Sequence, residues 1–250
     1  MYKQQIAVVG SMDSSGGAGI NQDIRIATLL DTSVQTCVGA LTIQSSLGVE
    51  SIHPTAFSVF QTNLESILRH PDLHYLKIGA LSQIEQLEYL CARLKQPRER
   101  IVVLDPVIRP SRGVAFLDEE GIEALRKLAQ VADYVCPNLP ELLALAGKAD
   151  ADPVEVAQDY ANLTGTKLLL TGGHAAGSSV EDRLYDGKNI RSCIHPRQNW
   201  GYSHGTGCAF SMAFTCFLAR GYSTEKAFRS ASQWVYEYYN RVNGITFPEG

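Results

Sequence analysis

The sequence predicts an α/β fold built of βα units around a largely parallel sheet. Short β-branched apolar runs alternate with longer amphipathic stretches along the chain, which is the rhythm such a sheet produces. Several of the apolar runs end at once in Gly, Asp-Pro, Pro-Asn or Gly-Gly. That punctuation is expected at the carboxyl ends of strands, where an open α/β sheet binds its ligands. With 250 residues, 45% of them hydrophobic and 19% charged, the chain can bury one substantial core.

In chain order, strands are expected at "IAVVG", "SVQTCVGALT", "YLKIGAL", "RIVVLDP", "ADYVCPN" and "TKLLLTGG", where β-branched or aliphatic residues run together. Helical spacing falls between them, near residues 20–31, 55–69, 83–94, 118–130, 139–146 and 153–163. The stretch "EDRLYDGKNIRSCIH" reads as a hairpin turned by Asp186 and Gly187. Two helices follow, 205–220 and 223–241, and in the second Ala227, Ala231, Trp234, Val235 and Tyr238 share one face. No repeat, low-complexity tract or linker interrupts this order, so residues 1–250 are expected to form one domain.

Composition narrows the function. A net charge of -4 argues against a surface that tracks nucleic-acid phosphates and favours a small-molecule ligand. No window reaches the ~18 apolar residues of a membrane helix, and the opening "MYKQQIAVVG" has too short an apolar run for a signal peptide. Cys37, Cys91, Cys136, Cys193, Cys208 and Cys216 form no CxxC pair and lie scattered in apolar segments. Reduced thiols in the cytoplasm, without disulfides or structural zinc, are the expectation.

Two glycine-rich stretches carry the strongest chemical signal. In "HGTGCAFS", glycines at 205 and 207 free the backbone so that successive N–H groups can converge on an anion. A helix starting there adds its free N–H groups and positive dipole end, which suits a phosphate. Cys208 would occupy the first turn, where the dipole is expected to lower the thiol from its model value of about 8.5 toward neutrality and so provide a proton acceptor. The plainer alternative is that the glycines allow close helix packing and Cys208 is a small buried residue. The second stretch, "GSMDSSGGAGINQD", matches neither GxGxxG nor GxxxxGK[ST]. It is read as a turn that offers backbone groups and Asp13 to a neutral polar ligand, or else as an unusually long connector.

Acidic and polar residues also stand at strand ends. Asp105 follows "VVL", and Asn138 and Glu141 follow "YVCP". One carboxylate from each of two strand ends suits a hydrated Mg²⁺ on a nucleotide, since that ion keeps most of its waters. Taken singly, Asp-Pro also makes ordinary turns, and Glu141 could serve as a helix-start carboxylate. "GYSHG" (Gly201 to Gly205) matches the hydrolase elbow G-x-S-x-G, but no strand precedes it and no histidine follows His204. The six histidines show no metal-binding spacing.

In this order "DSSGGAGINQD", "TIQSSLGV", "LKIGAL", "VVLDPV", "CPNLPE", "LLLTGGH" and "HGTGCAFS" resemble the hydroxymethylpyrimidine/phosphomethylpyrimidine kinases of the ribokinase superfamily. The likeness runs from about residue 6 to residue 240. It implies a ribokinase-like fold whose mostly parallel sheet carries helices on both faces, Mg-ATP as cofactor with potassium a candidate second ion, and a homodimer. The implied reaction phosphorylates 4-amino-5-hydroxymethyl-2-methylpyrimidine, and in many members its monophosphate, for thiamine biosynthesis. The family's anion hole falls on Gly205, Thr206 and Gly207, its catalytic residue on Cys208, its metal-side acids on Asp105 and Glu141 with Asn138, and its pyrimidine pocket on Ala18, Gln44 and Val107. A proton acceptor at the substrate hydroxyl is worth roughly 10²–10⁴-fold in rate.

Four positions depart from the family pattern. Thr171 stands where many relatives carry a lysine that reaches the nucleotide phosphates, and Lys77 and Arg109 are candidates for the missing charge. Ala80 replaces the methionine of "KIGML" and should leave a roomier pocket, with Met12 expected to fill it. Ser45 and Ser46 replace the usual Asn-Thr after Gln44. Two alternatives therefore accompany the pyrimidine kinase: a pyridoxal or pyridoxine kinase, and a catalytically weak pyrimidine-binding member. A flap over the site is expected near "SIHPTAF" or "RPSRGVAF".

Overall fold

The computed structural model describes residues 5–45, 47–96, 99–110, 112–148, 152–174, 177–187 and 189–245. Its elements are β1 (Gln5–Asp13), α1 (Gly19–Leu29), β2 (Ser33–Ser45), β3 (Gly48–Pro54), α2 (Phe57–Leu68), β4 (Leu73–Ile78), α3 (Ile84–Leu94) and β5 (Ile101–Leu104). They continue with α4 (Glu119–Ala129), β6 (Tyr134–Val135), α5 (Leu139–Ala146), α6 (Pro153–Thr164) and β7 (Lys167–Leu170). The hairpin strands β8 (Ser179–Asp186) and β9 (Asn189–Pro196) then lead into α7 (Thr206–Ala219) and α8 (Thr224–Val242). Among the described residues these strands form one nine-stranded sheet in the order β3-β2-β1-β4-β5-β6-β7-β8-β9. The run from β2 to β7 is parallel; β3, β8 and β9 pair antiparallel.

The sheet's two faces are sorted by the alternation of side chains along each strand. In β1, Ala7 and Val9 point to the core covered by α2, α3, α4, α5 and α6, while Ile6 and Val8 point to the core covered by α1, α7 and α8. Phe214 and Phe228 are fully buried in that second core, each worth about 1.5–3 kcal/mol of apolar burial. In α7 every residue from Ala209 to Ala219 is buried. A helix apolar all round must be interior, and α7 packs between α1, α8 and the sheet.

Every helix and strand expected from the sequence is present within a few residues. The hairpin closes with Asp186 paired to Asn189 and Gly187 at φ 60°; Lys188 lies outside the described residues. β3 was not foreseen. Its sequence GVESIHP buries only Val49, so an edge strand with one solvated face carries little hydrophobic signal. The flap candidate "SIHPTAF" falls on the end of β3 and the start of α2. In "RPSRGVAF", Ser111 lies outside the described residues, as does Ser46. No described helix is long and apolar enough to cross a membrane, and all six cysteines are free.

Candidate active site

The order of strands reverses at β1, which pairs with β2 on one side and β4 on the other. In an open α/β sheet that switch point, at the carboxyl ends of the strands, is where a crevice opens. A cavity of about 480 Å³ lies there, and the site residues expected from the sequence line it, except Lys77 and Met12.

One end of the cavity is built by the start of α7. Gly205 adopts φ 77°, and a Cβ at that position would overlap the carbonyl oxygen of Gly17, so both its conformation and its close approach require glycine. Gly207 is different: nothing lies within 4 Å of where its Cβ would stand. Close packing therefore explains Gly205 and leaves Gly207 unexplained, whereas a helix N-terminus opened toward an anion accounts for both. The first bond of the helix runs from the N–H of Ala209 to the carbonyl of Gly205 at 2.9 Å. The preceding N–H groups of Thr206, Gly207 and Cys208 belong to the unpaired first turn, and no acidic side chain offsets the dipole there.

Behind this turn lies a buried charge cluster. Lys77, fully buried on β4, places Nζ 3.0 Å from both oxygens of Asp23 and 3.5 Å from Oδ2 of Asp105. Ser211 of α7 sets its hydroxyl 3.0 Å from the same Asp105 oxygen. Burial disfavours the charged lysine, but Asp23, Cys208 and Asp105 together outweigh it and hold Lys77 well above its ordinary range. Cys208 departs from expectation. Burial pushes its thiol well above the usual range, Asp105 adds to the rise, and Lys77 opposes it. The helix dipole, weighed alone from the sequence, loses to desolvation and a neighbouring carboxylate.

Asn138 and Glu141 owe their geometry to the start of α5. The Asn138 side chain accepts from the N–H of Glu141, and the Glu141 carboxyl accepts from the N–H of Asn138, both at 2.9 Å; this is a capping box. Burial and then the charge of Asp105 raise the Glu141 carboxyl to about 8. A buried acid whose ionisation a neighbouring carboxylate disfavours fits a divalent cation that keeps its waters. No group of three or more metal-ligating side chains exists among the described residues, so a cation held mainly by protein ligands does not fit. Thr171 sits beside Asn138 through an isolated bridge, its hydroxyl turned back to the Pro137 carbonyl at 3.4 Å.

The other end gathers around Asp13, the last residue of β1. Its carboxylate accepts from the N–H groups of Ser15, Gly17 and Ala18 and from the Ser15 hydroxyl. Burial raises its pKa, but the bonds from His204, Ser15 and Ala18 outweigh burial and hold it at about 2. Ala18 therefore lines the cavity with its N–H already engaged. Gln44 reaches in from the end of β2, and Ala80 and Val107 line the same space. Met12 does not fill the room beside Ala80. Ser11 and Asp13 face the cavity, so strand alternation turns Met12 to the opposite side.

The two candidates for the missing positive charge fare differently. Lys77 is neutralised inside by Asp23 and Asp105. Arg109 is exposed and lines the cavity. No motif pointed to Arg197, which also lines it and bonds the carbonyls of Gly173 and Gly177. His204, noticed only as a failed hydrolase elbow, stands between Asp13 and Gln44. Nor was a chain foreseen in which His195 meets the Ser232 hydroxyl at 2.8 Å and that hydroxyl donates to Asp182 at 2.7 Å.

Solved structures similar to this chain define its class. A pyridoxal kinase of Bacillus subtilis in an ADP complex matches with a TM-score of 0.83 and 26% identity, over 92% of this chain and 89% of that one. A phosphomethylpyrimidine kinase of Clostridium difficile matches with a TM-score of 0.81 and 26% identity, over 94% and 99%. The fold is that of a ribokinase-like small-molecule kinase. A family model described as phosphomethylpyrimidine kinase matches residues 13–247, and the chain belongs to that family. A hydroxymethylpyrimidine/phosphomethylpyrimidine kinase of Haemophilus influenzae is 34% identical over 93% of this chain and 89% of its own length. A thiamine biosynthesis multifunctional protein of Corynebacterium efficiens is 29% identical over 98% of this chain, which spans 34% of that longer protein. The chain is thus a phosphotransferase that uses ATP with a divalent metal.

Proposed function

We propose that the chain, acting as one kinase domain over residues 1–250, transfers the γ-phosphoryl group of Mg-ATP to 4-amino-5-hydroxymethyl-2-methylpyrimidine and then to its monophosphate. The observation that carries this reading is the meeting of the open α7 N-terminus at Gly205 to Cys208 with the Asp13–Gln44 end in one cavity. In the first transfer the substrate hydroxyl oxygen forms the new bond to the γ-phosphorus, the bond to the ADP oxygen breaks, and the hydroxyl proton passes to water; in the second a phosphate oxygen of the monophosphate attacks in the same way. The first-turn N–H groups hold the transferred phosphoryl oxygens, and Thr171 lies beside the phosphates. Asp105 and Glu141 would hold Mg²⁺ through water, and the ion would supply charge neutralisation at the phosphates. Cys208 contacts the hydroxyl. Of its two roles, base and hydroxyl-positioning group, the raised thiol pKa favours positioning.

A place in thiamine biosynthesis follows from this substrate, and the free cysteines support a reducing cytoplasm. The homodimer that the resemblance implies is supported by Leu41, Ile43 and Leu47, exposed on and beside β2. Potassium is the candidate second ion.

The space left beside Ala80 favours a second reading, a pyridoxal or pyridoxine kinase. One assay tests both: ADP release with MgATP against the pyrimidine, its monophosphate, pyridoxal, pyridoxine and ribose, with products identified by mass. Turnover on the pyrimidines is expected. A clear preference for pyridoxal or pyridoxine overturns the pyrimidine reading, and no turnover with ligand-induced thermal stabilisation leaves a binding-only member.

A further inference from the structure

His204 stands between the two side chains on which acceptor recognition rests. Its Nε2 lies 3.0 Å from Oδ2 of Asp13 and 2.9 Å from Nε2 of Gln44. The imidazole can stand there because residue 17 is glycine: a Cβ at Gly17 would overlap its Cδ2. Its backbone carbonyl accepts from the Tyr239 hydroxyl at 2.7 Å, so the residue is held at main chain and ring alike.

One ring nitrogen thus faces two neighbours, and the charge of one decides where the proton sits. Asp13 is a carboxylate over the whole working pH range and can only accept. A bare nitrogen lone pair facing it at this distance would be repelled, so Nε2 carries hydrogen. Two N–H groups cannot bond each other. The contact with Gln44 is therefore satisfied when the amide turns its Oε1 to the imidazole and shares the one N–H with Asp13 in a bifurcated bond, which directs the amide NH₂ to the cavity that Gln44 lines.

We propose that His204 is a specificity-determining residue: anchored on Asp13, it locks the Gln44 amide with its NH₂ toward the cavity, which selects an acceptor whose ring presents an unprotonated nitrogen there. The proposal rests on the reading that the acceptor binds at Gln44. An aminopyrimidine edge offers such a nitrogen, and a ribose offers none.

Two measurements test it. Imidazole ¹⁵N NMR on the native protein, with His204 assigned by comparison with His204→Gln, is expected to show hydrogen on Nε2. A bare Nε2 overturns the proposal whatever the substrate proves to be. Steady-state kinetics then compare His204→Phe, which keeps a ring without the donor, with His204→Gln, which keeps a donor. The Phe variant should raise KM for the pyrimidine at least about tenfold, move KM for MgATP less than about threefold and affect kcat less than the pyrimidine KM, with the Gln variant recovering part of the loss. A pyrimidine KM that stays put in both variants, or a rise shared equally with MgATP, overturns it. Should the Phe variant fail to fold, the Gln variant and the NMR signal decide. A native enzyme that turns over no pyrimidine would sink the functional reading, and the NMR outcome would still judge the His204 geometry.

Discussion

Single residues set the charge state of the site, and two of them carry predictions. Cys208 was expected to be acidic because the helix start was visible in the sequence, while Asp105, more than a hundred residues away, was not visible as its neighbour. With its thiol raised, Cys208→Ser should lower kcat about tenfold with little change in MgATP affinity, as for a positioning group. A loss of 10²–10⁴ in single-turnover assays would restore the role of base, and no loss would reduce Cys208 to packing. Asp13 tests the acceptor end. Its folded pKa of about 2 lies below the ordinary 3.8, so its contribution is complete above about pH 4 and disappears as pH falls toward 2. About two units correspond to about 2 kcal/mol. The stability gap between wild type and Asp13→Asn in urea unfolding should be near that size at pH 6 and close toward pH 2. A gap independent of pH would mean that the carboxylate charge does not matter. His204 was illegible for the same reason as Asp105: its partners come from β1 and β2, and only the closed sheet brings them together.

At the scale of elements, the sequence was most informative where one surface alone decides the structure. Buried strands and amphipathic helices announce themselves by period, as in β1, α4 and α8, and the start of α5 was legible from Asn138 and Glu141 at capping-box spacing. β3 was hidden because its stability comes from pairing with β2, not from burial of its own side chains. The start of α7 shows the limit from the other direction. Its glycines were visible, but the sequence could not tell the packing glycine from the open one. Gly205→Ala should strain both the left-handed backbone and the approach to Gly17, lowering stability by about 1–3 kcal/mol and activity with it. Gly207→Ala meets no neighbour and should leave the melting temperature within about 2 °C while weakening MgATP. Equal destabilisation by the two changes would return both glycines to a packing role.

For the whole molecule, the two cores divide the labour. α1 and α7, which start the acceptor loop's helix and the phosphate turn, lie on the same face of the sheet, while α2 to α6 brace the other. Fold class and chain-wide order were legible because each βα unit repeats the same local pattern. Which strand ends converge was legible only through the resemblance, since strand order is a property of the assembled sheet.

The backbone of Gly17 rests against that of Gly205 with no side chain between them. A ring too large for that side has no cushion to compress: whatever pushes on the loop at Gly17 also displaces the first turn of α7. Such a molecule would be held and yet seldom converted, so this protein would refuse wrong substrates by slowness rather than by weak attachment.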